Sequence, residues 1–113
     1  MTQNIRYSVD GDGIATLLID VADRPMNVIT PGFRKDLSEC VEKLAADPAV
    51  RGAVIGSAKS SFMAGADIKD MAAAFQRGLT AAEAAKFSGE LNRLLRRLET
   101  CGKPVAAAVN GVA

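Results

Sequence analysis

Ser57-Ala58-Lys59-Ser60-Ser61-Phe62-Met63-Ala64-Gly65-Ala66-Asp67-Ile68-Lys69 is the stretch on which the reading of this 113-residue chain turns. An apolar run centred on Val54 and Ile55 precedes it and a short helix beginning near Ile68 follows, so it reads as a strand-to-helix connection. Its composition is unusual for a connection. Ala64, Gly65 and Ala66 carry little or no side chain and let a ligand approach backbone N–H groups closely, and Asp67 can cap the following helix. Such a place binds anions or developing oxyanions. The same residues also read as a turn whose small side chains serve packing alone, and spacing does not separate the two readings.

Working outward, Val50 to Ser57 has the character of a strand buried on both faces of a parallel sheet. Before it, Thr30-Pro31 reads as an N-cap followed by proline at the first helical position. Phe33, Leu37, Cys40, Val41 and Leu44 then recur at helical spacing until Asp47-Pro48 ends the segment. Nearer the start, Ile5, Tyr7 and Val9 alternate with Arg6 and Ser8, Asp10-Gly11-Asp12-Gly13 makes a turn, and an apolar run follows from Ile14 to Val21. That pattern predicts a β-hairpin.

Downstream of the loop, Thr80-Ala81-Ala82-Glu83 matches a capping box, and Ala84, Phe87, Leu91, Leu94, Leu95 and Leu98 form an apolar stripe ending at Gly102 and Pro104. Val105 to Val109 reads as the next buried strand. Strand, helix, strand, helix, strand implies an α/β fold whose later strands are parallel and joined by right-handed crossovers.

Composition removes several classes of function. Fourteen Lys plus Arg against thirteen Asp plus Glu leave no electrostatic footprint for nucleic acid. No apolar run is long enough to span a bilayer, and Met1 to Asp10 lacks the apolar core of a secretory signal, so a cytoplasmic protein is expected. Without histidine the chain offers no imidazole base, and Cys40 and Cys101, far apart and without nearby partners, suggest neither a metal site nor a disulfide. Gly11 and Gly13 lack the spacing of a dinucleotide fingerprint. Glu39, Glu42, Glu83, Glu90 and Glu99 fall on amphipathic helices; three of them, Glu39, Glu83 and Glu90, have basic partners at surface-pair spacing, so solvated faces are expected. Arg93, Arg96 and Arg97 are expected to face solvent too, while Phe75 and Phe87 serve either core packing or an acyl pocket.

Phe62-Met63-Ala64-Gly65-Ala66-Asp67-Ile68-Lys69 resembles the signature of the enoyl-CoA hydratase/isomerase (crotonase) family. Two more blocks stand in the family's order: Asp23-Arg24-Pro25-Met26-Asn27-Val28, and Lys103-Pro104-Val105-Ala106-Ala107-Ala108-Val109-Asn110-Gly111. Met26-Asn27-Val28, Gly56-Ser57 and Ile68 resemble the amino-terminal hydratase region of multifunctional fatty-acid oxidation proteins. The resemblance implies that residues 1–113 are the amino-terminal portion of a single domain with the crotonase ββα spiral fold.

It further implies reversible hydration of a trans-2-enoyl-CoA to a 3-hydroxyacyl-CoA, with the thioester carbonyl held by backbone N–H groups. Ala66 matches the first of these oxyanion donors, and Met26, Ala64, Gly65, Asp67, Ile68 and Lys69 match substrate-binding positions. Family members often carry a basic residue two before the Phe; here that place is Ser60, with Lys59 one step earlier. After Asn110-Gly111-Val112-Ala113 the family would continue into a second oxyanion donor and two catalytic glutamates, so these residues are expected to hold half an active site and to be inactive alone. Enoyl-CoA isomerase and a non-catalytic CoA-binding or assembly fragment are the alternatives. Coenzyme A enters as part of the substrate, NAD only if a 3-hydroxyacyl-CoA dehydrogenase region follows. The expected partners are further copies of the chain or a thiolase subunit.

Overall fold

Alternating apolar residues around a turn of aspartates and glycines build a hairpin first. In the computed structural model, which describes residues 4–65, 72–73, 75–78 and 80–111, strand β1 (Ile5–Val9) pairs antiparallel with β2 (Ile14–Ile19), Ile5 opposite Ile19. The Asp10 carboxylate accepts from the amides of Asp12 and Ile14, which closes the turn on its own side chain.

Helix α1 (Pro31–Ala46) begins where Thr30-Pro31 places it: the Thr30 hydroxyl accepts from Phe33 N–H at 3.0 Å, a cap worth about 1 kcal/mol. The helix returns the chain to β3 (Gly52–Ser57), which pairs parallel with β2. Helix α2 (Ala81–Glu99) opens with the Thr80 hydroxyl accepting from Glu83 N–H, and leads to β4 (Val105–Ala107), parallel to β3. The sheet order is β1-β2-β3-β4. The hairpin, the two parallel pairings and both caps are those expected from the sequence.

One face of the sheet carries the core. Ile5, Ala15, Leu17, Ile19 and Ala53 pack with Phe33, Leu37, Cys40, Val41 and Leu44 of α1 and with Leu98 of α2. Each such side chain, fully buried, stabilises by about 1.5 to 3 kcal/mol. Two polar groups tie the edges to α1. Asp36, buried, accepts from the backbone and side-chain amides of Asn4, and the Lys103 ammonium donates to the carbonyls of Leu44 and Asp47 at the end of α1.

Three expectations of burial are corrected. β3 is not covered on both faces: Val54 is half-buried on the face away from the core cluster, and Ile55, which packs against that cluster, is half-buried too. β4 is three residues long and mainly exposed, with Val109 beyond it 56% exposed, because among the described strands it has a neighbour, β3, on one side alone. The described part of the stripe on α2 is buried only at Leu98: Leu94 is half-buried against the core, Leu91 is half-buried, and Leu95 is 47% exposed. Phe75 is exposed and joins no core; the side chain of Phe87 lies outside the described residues.

The glutamates are on exposed helix positions, as their spacing implies. Spacing did not reveal that Glu42 on α1 takes a forked pair of hydrogen bonds from Arg97 on α2. Arg96 pairs with Glu99 along the same helix. No described helix is long and apolar enough to cross a membrane.

Candidate active-site loop

β2 and β3 run parallel and end side by side at Ile19 and Ser57, and the chain leaves both ends into loops. Open α/β sheets bind ligands outside the carboxyl ends of their strands. Here the loop after β2, through Asn27 to Ile29, meets the loop after β3, through Phe62 to Gly65. Ala64 N–H donates to the Asn27 carbonyl at 2.7 Å, and Ile29 N–H donates to the Gly65 carbonyl at 2.8 Å. The structure thus brings together the segments carrying three of the expected site residues, Met26, Ala64 and Gly65. Ala66, Asp67, Ile68 and Lys69 lie outside the described residues.

The loop keeps an open surface at its tip. Gly65 has φ +88°, a left-handed conformation that glycine adopts without strain, and nothing lies within 4 Å of where a Cβ would be. Ala64 is exposed, and Met26 is 39% exposed.

Beneath the tip sit two polar side chains to which the sequence reading gave no role. Asn27 has 0% exposure. Its side-chain oxygen accepts from Val21 N–H at 3.0 Å, and its side-chain nitrogen donates to the Ser57 hydroxyl at 2.8 Å and the Phe62 carbonyl at 3.0 Å, with the Ile19 carbonyl at 3.4 Å. The Ser57 hydroxyl also accepts from Lys59 N–H and donates to the Ser61 carbonyl at 2.7 Å. A buried Asn in an irregular segment leaves no periodic trace; the only signal was its place in the block Asp23 to Val28.

Lys59 is turned inward along the other wall. Its ammonium donates to an Asp20 carboxylate oxygen and to the Arg24 carbonyl, both at 2.8 Å, while its own carbonyl accepts from the Asn110 side chain. The second Asp20 oxygen accepts from Arg6. At the far side Gly111, with φ +70°, has its Cβ position 2.6 Å from the Ser60 carbonyl, so only glycine lets the chain after β4 pass this close to the loop.

The hydrogen bond from Lys59, and then that from Arg6, holds the Asp20 carboxyl below its ordinary pKa. A depressed folded-state value makes the pair stabilising above the unfolded pKa of about 4, and that contribution is lost as pH falls through the folded value. Urea unfolding of Asp20→Asn and of the unsubstituted protein should therefore differ near neutral pH and converge below about pH 4; a difference that persists in acid would contradict the assignment.

Residues 12–113 match the family model described as Enoyl-CoA hydratase/isomerase. The chain belongs to the enoyl-CoA hydratase/isomerase family. Among curated relatives of this hydratase/isomerase chain, fatty acid oxidation complex subunit alpha of Shewanella sp. (strain W3-18-1) is 38% identical over 101 residues, covering 88% of this chain and 14% of that protein. The same subunit of Shewanella halifaxensis is 37% identical over the same shares. The chain therefore spans about one seventh of the length of these relatives.

An enoyl-CoA hydratase/carnithine racemase from Magnetospirillum magneticum superposes with a TM-score of 0.82 at 26% identity, over 98% of this chain and 40% of that one. An enoyl-CoA hydratase from Shewanella pealeana reaches 0.85 at 21% identity, over 97% and 40%, which speaks for the fold alone. The α/β crotonase fold expected of this hydratase/isomerase chain is the one found.

Proposed function

We propose that the protein serves as the thioester-binding half of an enoyl-CoA hydratase acting in fatty-acid β-oxidation. In this reading residues 1–113 are the amino-terminal part of one crotonase-like domain. Ala66 N–H donates to the thioester carbonyl oxygen, and Met26, Ala64, Gly65, Asp67, Ile68 and Lys69 line the substrate's path. The observation that supports it is the meeting of the loops after β2 and β3 at the carboxyl ends of the parallel strands, held by Ile29 N–H on the Gly65 carbonyl and Ala64 N–H on the Asn27 carbonyl. As water adds across the double bond, charge moves onto the carbonyl oxygen, and a preorganised N–H stabilises it by about 3 to 4 kcal/mol at the transition state.

Hydration also needs an acid and a base within hydrogen-bond reach of the attacking water. The exposed helical positions of Glu39, Glu42, Glu83, Glu90 and Glu99 do not suit that task, so the reading assigns it to other residues and leaves this chain inactive alone. It also includes a cytoplasmic protein associating with its own copies or with a thiolase subunit. A dehydrogenase region using NAD would consume the 3-hydroxyacyl product where one accompanies this chain.

Calorimetric titration with butyryl-CoA, a thioester with no double bond to hydrate, tests the assignment. Ala66→Pro removes the N–H. Binding should weaken about five- to tenfold, the range of one net hydrogen bond. Full affinity in Ala66→Pro would remove Ala66 from the site.

A further inference from the structure

We infer that Ser57 is a positioning residue for recognition of the thioester carbonyl, acting with Asn27 and without touching the ligand. The inference rests on the functional reading above and deepens it. A hydroxyl has one hydrogen to donate and two lone pairs to accept with. At Ser57 all three are used: the donor goes to the Ser61 carbonyl, and the lone pairs receive Lys59 N–H and the Asn27 side-chain nitrogen.

Those bonds attach to the turn at its start and middle, and the same Asn27 nitrogen holds the Phe62 carbonyl one residue further on. From there the backbone takes over, through Ala64 N–H on the Asn27 carbonyl and Ile29 N–H on the Gly65 carbonyl. Among the described residues, the hydrogen bonds that hold the turn from residue 59 to residue 65 thus lead to Ser57, Asn27 or Ile29, apart from those of the Lys59 side chain and of Asn110. Side-chain networks of this kind hold a recognition group within the narrow tolerance that a directional hydrogen bond requires.

Ser57 is the better place to test this than Asn27. It is half-buried at the end of β3, whereas Asn27 is fully buried, so loss of the Ser57 hydroxyl disturbs the interior less than loss of the Asn27 side chain. The measurement compares two probes that differ by one oxygen: butyryl-CoA, a thioester, and S-butyl-CoA, the thioether without the carbonyl. The unsubstituted protein should bind the thioester about five- to tenfold more tightly, the worth of one hydrogen bond.

In Ser57→Ala the thioether should bind within about twofold of the original while the preference for the thioester disappears, and Ser57→Thr, which keeps a hydroxyl, should retain it. A merely structural role would lower both affinities together, and that result overturns the inference, as does a preference undiminished in Ser57→Ala. An unsubstituted protein that binds the two probes equally, or neither, overturns the functional reading itself, whereas loss of the preference in Ala66→Pro alone would leave that reading standing and remove Ser57 from it.

Discussion

Replacing Leu17 by alanine will lower the free energy of unfolding by about 3 to 4 kcal/mol, read as a shift in the urea midpoint at unchanged slope. Leu17 has 0% exposure at the centre of β2, with Tyr7 opposite it on one neighbouring strand and Ile55 on the other. Sheet residues on two sides and α1 above cannot all collapse into the space that the three lost side-chain carbons would open, so a cavity remains. A domain of this size has of order 5 to 15 kcal/mol in total, so the variant will stand near the edge of folding. Leu95→Ala supplies the contrast. Leu95 is 47% exposed on α2, and its loss should cost under about 0.5 kcal/mol. A Leu17 variant within about 1 kcal/mol of the original would mean that the core is not where the structure puts it.

Asn27→Ala is expected to cost a similar amount for a different reason. No large apolar volume is lost. Instead Val21 N–H and the Phe62 carbonyl lose their partner inside the protein, at about 1 to 3 kcal/mol for each buried group left unpaired. Asn27→Asp keeps the shape and exposes the chemistry. The nitrogen it replaces faces the carbonyls of Phe62 and Ile19, which would repel a carboxylate oxygen. The new carboxyl would therefore hold a proton in the folded state, with a pKa above its unfolded value. A raised folded pKa leaves stability intact below the unfolded value and removes it as pH rises beyond about 4. Unfolding of Asn27→Asp should thus approach that of the original protein in acid and fall away toward neutrality. A pH-independent difference would mean that the side-chain nitrogen does not face those oxygens.

The elements that were legible from the residues are those with a local cause. Thr30 and Thr80 announce their helices because a hydroxyl next to a free amide is a local interaction, and Asp10 to Gly13 announces a hairpin for the same reason. The motif around Ala64 and Gly65 was legible through its resemblance to a family, and the loop it predicts does stand at the ends of the parallel strands. The pattern of Val105 to Val109 alone, as apolar as a central strand, does not show the exposure of β4, which the sheet order puts last among the described strands. Asn27 and Ser57 were missed because the bonds that bring them together, Asn27 to Ser57 and Asn27 to Phe62, join residues 30 and 35 apart along the chain, and no period or spacing encodes such a meeting. Lys59 is a similar case: its place in the sequence showed a basic residue one step from the family's position, and only the fold supplies Asp20 and the Arg24 carbonyl to receive it.

The turn between β1 and β2 offers a handle. It sits at the opposite end of the strands from the loop, since β2 and β3 both run away from Asp10 to Gly13 toward Ile19 and Ser57. Within it Gly11 has nothing within 4 Å of a Cβ, whereas Gly13 is pressed to 2.7 Å from the Ala49 carbonyl. A fluorophore, an affinity tag or a tether to a surface belongs at Gly11, where lengthening the turn costs only about 0.6 kcal/mol per doubling. Attached there, the molecule would be held by its back, with the ends of its parallel strands facing the solution.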